Sequence, residues 1–256
     1  MTVRHELRDA VAIVTLDRPE RRNALTVEMR DALGTAFEHA ARDPSVRAVL
    51  LQASGQAFCA SGDVTKMGDF TPASGRDLLK LAHRMVRNLA NIEKPVVAAV
   101  RGAVAGIGWS MAMACDMVIA SETARFSQVF RNVGLVPDGG AVWFLTQHLG
   151  AMRAKELVYS GRRIDAHEAL SLGLVTRVVA DDALDAAAWD AASELAQGPT
   201  FALGTAKKMF KLMHQPDLET LLDAEAWAQG LALMSDDHKE GVRAFLEKRK
   251  PVFKGH

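Results

Sequence analysis

Two turns in this sequence could do chemistry together. Gly102, Gly106 and Gly108 surround the start of an apolar helical stretch, Ile107 to Cys115, and Pro137-Asp138-Gly139-Gly140 precedes another. A glycine-rich turn that opens a helix leaves backbone N–H groups without intrahelical partners, and these can stabilise a developing negative charge. Asp138 supplies a carboxylate. An anion cradle and one base are enough to move a proton beside a carbonyl.

The same residues have plainer roles. Gly102-Ala103-Val104-Ala105-Gly106-Ile107-Gly108 suits a tight strand-to-helix turn with close backbone packing. Its glycine spacing does not match a dinucleotide fingerprint, and no Gly-Lys-Ser/Thr follows to make a phosphate loop. Asp138 is a natural N-cap for a helix over Gly139 to Leu149. A capping carboxylate has its pKa pulled down, whereas a base needs apolar surroundings, which Phe130, Val133, Leu135 and Val136 could provide. Spacing alone leaves cap and base both open.

Gly108-Trp109-Ser110-Met111-Ala112 resembles a nucleophile elbow with alanine at its last position, and His148 follows Asp138 in triad order. An elbow needs its strand to run almost directly into the serine turn. Here a glycine loop intervenes and puts Ser110 inside the helix, where a serine bonds back to the preceding turn. A serine hydrolase is therefore the lesser reading. His167-Glu168 lacks the second histidine of a zinc helix, so no metal is expected. Met111, Met113 and Met117 read as packing.

Composition narrows the field. Hydrophobic residues at 49% against 24% charged, over 256 residues, place the chain among soluble globular proteins with one large domain or one domain and an appendage. A formal net charge of zero gives no electrostatic footprint for nucleic acid or an anionic membrane. Cys59 and Cys115 sit in apolar settings and read as buried free thiols. The N-terminus has no signal-peptide run. Val96 to Ala120 comes nearest to a membrane span, but Arg101, Asp116 and several glycines interrupt it. A reducing, cytoplasmic setting is the expectation.

The elements that must position the two turns follow from periodicity. Val11 to Leu16, Arg47 to Ala53, Pro95 to Val100 and Asp116 to Ala120 read as strands, the middle two as buried ones. Thr26 can cap a helix running to about Arg42, with Met29, Leu33, Ala36, Phe37 and Ala40 on one face. Leu78 to Ile92 repeats at helical spacing. Strands alternate with helices to about Val179, which implies an α/β class. Ala183 to Leu195, Phe201 to Met213, Leu218 to Leu233 and Asp236 to Lys248 are helical, and Gly198-Pro199 marks a boundary between a body, 1–198, and a helical tail, 199–256.

Four segments then resemble the crotonase superfamily, the enoyl-CoA hydratase/isomerase family. Arg18-Pro19-Glu20-Arg21-Arg22-Asn23-Ala24-Leu25 is similar to its N-terminal signature, and Ala57-Phe58-Cys59-Ala60-Ser61-Gly62-Asp63-Val64 to its Phe-x-Ala-Gly-x-Asp-Leu loop. Lys94 to Gly102 resembles the strand before its glycine turn, and Glu240 to Phe253 its tail. The resemblance spans nearly the whole chain in the right order. It implies a spiral of ββα units, a C-terminal helical region that assembles trimers or hexamers, and an acyl-CoA thioester ligand. By position it implies an oxyanion hole from the backbone amides of Gly62 and Ile107. It also implies a ligand path bordered by Ala60, Asp63, Val64 and Thr65, with Ser110 and Phe130 beside the substrate.

The departures from the family pattern set the expected chemistry. Family hydratases hold a water with two glutamates, and the matching positions here are Ser110 and Phe130. Neither is a carboxylate, so a paired-acid hydration is not expected. Asp138, within Gly134-Leu135-Val136-Pro137-Asp138-Gly139-Gly140 and followed by Trp143, resembles the ring-epoxide isomerase branch of phenylacetyl-CoA degradation, and dienoyl-CoA isomerases also place an aspartate there. Aroyl-CoA dehalogenases have a nucleophilic aspartate at this position but tryptophan in place of Phe130. The expectation is an isomerase that shifts a proton or double bond, or isomerises a ring, next to a CoA thioester. It needs neither metal nor nicotinamide, because coenzyme A arrives with the substrate. The alternatives are a hydratase with non-standard residues and a non-catalytic acyl-CoA-binding homologue.

Overall fold

The structure is a computed structural model that describes residues 2–63, 65, 72–212 and 218–256; Val64, named above on the ligand path, lies outside these, as do residues 66–71. Strand β1 (Val3–Arg8) and β2 (Val11–Leu16) form an antiparallel hairpin, with Val3 opposite Leu16. Parallel strands β3 (Ala48–Ala53), β4 (Val96–Val100), β6 (Met117–Ser121) and β9 (Arg177–Val179) extend it into a six-stranded sheet of order β1-β2-β3-β4-β6-β9. A second sheet holds β5 (Ala103–Ala105), β7 (Arg125–Ser127) and β8 (Ile164–Asp165).

The large sheet is covered on both faces, which is why β2, β3 and β4 read as unbroken apolar runs. Val14, Leu16, Val49, Leu51, Ala98 and Val100 face the main core with α1 (Val27–Arg42), α2 (Pro72–Asn91) and α3 (Ile107–Met113). The alternate residues, Ile13, Leu50, Val97, Ala99 and Ile119, pack under α6 (Leu184–Ala196) through its small side chains Ala188, Ala191 and Ala192. Helix α1 starts where Thr26 predicts, and the Thr26 hydroxyl accepts from the Met29 amide at 3.2 Å. Strand β1 escapes the sequence reading because it is an edge strand with only Val3 buried, so it lacks an apolar signature.

Helix α4 (Ala141–Ser160) begins two residues later than expected and continues to Ser160 through a kink at Gly150, whose φ is +73°. Helix α5 (Ala166–Ser171) is capped by Asp165. The C-terminal helical region comprises α7 (Thr200–Leu212), α8 (Leu218–Met234) and α9 (Asp236–Leu246). It is fastened to the body by Arg47, at the entry to β3. The Arg47 guanidinium donates to the Gly198 carbonyl at 2.6 Å, the Phe253 carbonyl at 2.9 Å and the Thr200 hydroxyl at 3.1 Å. Buried Asp237 accepts from the Lys254 and Gly255 amides. Among the described residues no helix is long and apolar enough to cross a membrane.

Candidate active site

The segment from Phe58 to Asp63 is threaded between two neighbours that fix each peptide. The Phe58 and Cys59 amides donate to Arg101 and Ala103, and the Ala60 amide donates to Arg22. Leu25 forms a parallel bridge with Gly62: its amide donates to the Ser61 carbonyl at 2.8 Å, and its carbonyl accepts from the Asp63 amide at 3.0 Å. In a parallel ladder the residue between two such bonds points its own N–H away from the partner strand. The Gly62 amide therefore faces the other side, and among the described residues it donates no hydrogen bond. Buried Asn23 stiffens this region, its side-chain amide donating to the Ser54 and Ala57 carbonyls. Ser61 sits at φ +93°, a left-handed setting that favours glycine.

The Ile107 amide is the second free donor. Ile107 is the first residue of α3, so its N–H has no partner inside the helix. The preceding Gly106 turns at φ +52°, and its own amide donates to the Ser127 carbonyl. A Cβ at Gly108 would lie 2.5 Å from the Cys59 Cβ, so glycine is what lets α3 approach the Phe58–Asp63 segment. The Ile107 side chain lies in the main core, only 1% exposed.

Asp138 does not cap α4. Gly140 holds the N-cap position, and no side chain caps that helix. The Asp138 main-chain carbonyl carries the structural load instead, accepting from the Ala141 amide at 3.1 Å and the Ser110 hydroxyl at 3.0 Å. Its side chain is left over. Asp138 Oδ1 is buried with no hydrogen-bond partner. Burial lifts this carboxyl above the ordinary carboxylate range, against the opposing pull of Arg30 and His83.

Asp138 shares the wall of a cavity of about 130 Å³ with Ala60, Gly62, Phe130 and Leu135. Arg30, Ser61, Val129, Asn132 and Val133 also line it, so among the described residues Asp138 is its single carboxylate. Phe130, Val133 and Leu135 share this wall with the acid, Phe130 buried and the other two about half exposed, whereas Val136 points out at 77% exposure. Ala60, Gly62 and Val129 also border a larger cavity of about 630 Å³ that carries Arg21, Arg22, Arg125 and Arg163.

Of the remaining described candidates Asp63 borders a cavity, whereas Thr65, Ile107 and Ser110 line neither. Asp63 borders the larger one, but its carboxylate is engaged: Thr65 donates to it through Oγ1 at 2.6 Å and Arg18 pairs with it at 2.7 Å, which together hold its pKa down to about 2. Thr65 is exposed and serves this turn. Ser110 is fully buried and lines neither cavity; its proton goes to the carbonyls of Gly106 and Asp138, which leaves nothing for a hydrolase triad. The Cys59 thiol is buried and pushed up to about 12, an unreactive state.

Sequence reasoning missed Arg30. It lines the smaller cavity from α1 and is 3% exposed, with Nε and Nη1 buried and unpartnered. A signal existed: Arg30 stands three residues before Leu33 and seven before Phe37, on the stripe that faces the core.

A doubly covered, mostly parallel sheet with ββα units and a C-terminal helical region is the architecture of the crotonase class. Comparison with known proteins agrees, since a profile of the enoyl-CoA hydratase/isomerase family matches residues 6–256. The chain belongs to that family. It is 39% identical over 249 residues to 1,2-epoxyphenylacetyl-CoA isomerase of Escherichia coli strain K12, covering 96% of this chain and 95% of that one. It is 40% identical over 258 residues to a probable enoyl-CoA hydratase of Rhodobacter capsulatus, covering 99% and 98%. A crystal structure of a putative enoyl-CoA hydratase/isomerase from Mycobacterium abscessus superposes with a TM-score of 0.95 at 36% identity, covering 99% of this chain and all of that one.

Proposed function

We propose that this protein is an acyl-CoA isomerase that uses Asp138 as its single proton shuttle. The observation that carries this reading is the Asp138 carboxylate itself: partly buried, unbonded, raised in pKa and the one acid among the described residues of the cavity. The larger cavity, with four arginines, suits the phosphates of coenzyme A. The smaller one suits the acyl group, and the thioester then sits where Ala60 and Gly62 border both.

In this reading the Gly62 and Ile107 amides donate to the thioester oxygen. Asp138 takes a proton from the α carbon or a conjugated carbon. Negative charge moves to the thioester oxygen, where removing one preorganised donor typically raises the barrier by about 3 kcal/mol. Protonated Asp138 returns the proton at another carbon, or assists opening of a ring. No water is consumed, so a second group to hold and activate water is unnecessary. Exposed apolar side chains on the C-terminal helices, among them Phe210, Trp227 and Phe245, support assembly into a trimer or a pair of trimers.

The deciding experiment is Asp138→Asn assayed against straight-chain enoyl-, dienoyl- and aryl-CoA esters, with product mass and deuterium incorporation recorded. Isomerisation and exchange should fall by at least a hundredfold in the variant. Unchanged turnover would remove Asp138 from the mechanism. Products heavier by one water would make the enzyme a hydratase. Binding of thioesters by the wild type without turnover of any would make it a binding protein.

A further inference from the structure

The Arg30 guanidinium is the group in the site that the proposed reaction does not use. Its residue is 3% exposed, and Nε and Nη1 are buried without any acceptor. Among the described residues Nε and Nη1 have no hydrogen-bond partner, and Asp138 acts on the guanidinium only as a charge through space. An arginine carries five N–H donors in a planar fork and no acceptor. Leaving such a group dry and unpartnered is among the costlier arrangements in a folded protein.

The surroundings say where the missing acceptor must come from. Arg30 lines the smaller cavity, whose wall is largely apolar: Val129, Phe130, Val133 and Leu135. Asp138, in the same wall, lies beyond ion-pair distance and must alternate between charged and neutral in the proposed reaction. It therefore cannot be a permanent counter-ion. The occupant of the cavity is left to supply the oxygen.

We propose that Arg30 is an oxygen-recognition subsite in the acyl pocket, so that the preferred substrate is an acyl-CoA bearing an acceptor oxygen on its acyl portion. This deepens the isomerase reading and rests on it for the identity of the smaller cavity as the acyl pocket. The oxygen is a carboxylate, a hydroxyl or oxo group, or a ring ether; all present lone pairs to the guanidinium. A purely hydrocarbon chain offers none and leaves the donors unpaired, which is how a polar pocket rejects an analogue lacking the polar group.

The test uses binding rather than turnover. Hexanoyl-CoA, 6-hydroxyhexanoyl-CoA and adipoyl-CoA, with the corresponding four-carbon set, are titrated calorimetrically into wild type, Arg30→Met and Arg30→Lys. Wild type should bind at least one oxygenated partner 10- to 100-fold more tightly than the matched hydrocarbon, the range expected for a hydrogen bond to a charged donor. Which partner wins distinguishes a carboxylate from a neutral oxygen. Arg30→Met should bring the ratio to within about twofold while its thermal midpoint stays level or rises, and Arg30→Lys should keep part of the preference. Equal binding of both classes by wild type, or an Arg30→Met variant that keeps the ratio, would overturn the proposal. Asp138→Asn should retain the oxygen preference, so a wrong base assignment and a wrong subsite give different results.

Discussion

An acid with one oxygen buried and unbonded is costly to the protein that holds it, and Asp138 should reveal this in solution. Its folded-state pKa is raised, so the folded form binds the proton more tightly than the unfolded chain does. That contribution to stability is complete below the unfolded pKa and is lost as pH rises through the folded one. At pH 7 to 8 the charged Asp138 therefore destabilises the fold. Asp138→Asn should melt at the same temperature or higher at neutral pH, with the gain shrinking as pH falls toward 4, even as activity disappears. The acid limb of the wild-type rate profile should lie above the ordinary aspartate value, because Asp138 must be ionised to accept a proton, and Arg30 and His83 limit how far it rises. Asp63 has the opposite sign. Its carboxyl is held down to about 2 by Thr65 and Arg18, so its stabilising effect is present above the unfolded pKa and disappears as pH drops from about 4 toward 2. Ser61, at φ +93°, is a different case of local strain. Ser61→Gly should raise stability by about 1 kcal/mol in urea unfolding without displacing the Gly62 amide.

Elements decide whether these residues meet. Helix α1 carries Arg30, and Thr26→Ala should cost about 1 kcal/mol in the same unfolding assay by stripping its cap. Helix α3 carries the Ile107 amide, and its approach depends on Gly108. Gly108→Ala should cost about 1–3 kcal/mol, because the new Cβ meets Cys59 side chain and backbone together, and it should lower kcat more than it raises KM. Periodicity revealed these elements well. Strand β2 matches its expected bounds, and α1 begins after the residue named as its cap. Short pieces were not legible. Strands β5, β7, β8 and β9 span two or three residues and owe their existence to pairing partners distant in sequence. The site divides in the same way. Asp138 could be found from its turn but not assigned, since a cap and a base share the Pro-Asp-Gly pattern; the shift of the N-cap to Gly140 removes the cap and leaves the base as the proposal. Arg30 was hidden by chemistry, because a charged side chain on an apolar stripe reads as a solvated exception.

At the scale of the molecule, the C-terminal helices hold much of what remains apolar and uncovered. Trp227 and Phe245 are 79% and 84% exposed on α8 and α9, more than a lone soluble subunit ordinarily leaves in water. Sedimentation should give about three or six times the chain mass, and Trp227→Glu with Phe245→Glu should shift it toward one, with Arg47 still tying the tail to the sheet. A last consequence concerns reach. The Ser110 hydroxyl joins the middle of α3 to the Asp138 carbonyl, so the Ile107 amide and the Asp138 acid, the two groups of the proposed reaction, belong to one bonded block. The span between them works like a fixed calliper, set before any thioester arrives. A ladder of substrates whose acidic carbon is displaced by one bond at a time should then produce a cliff in rate rather than a slope, and Ser110→Ala should blunt the cliff.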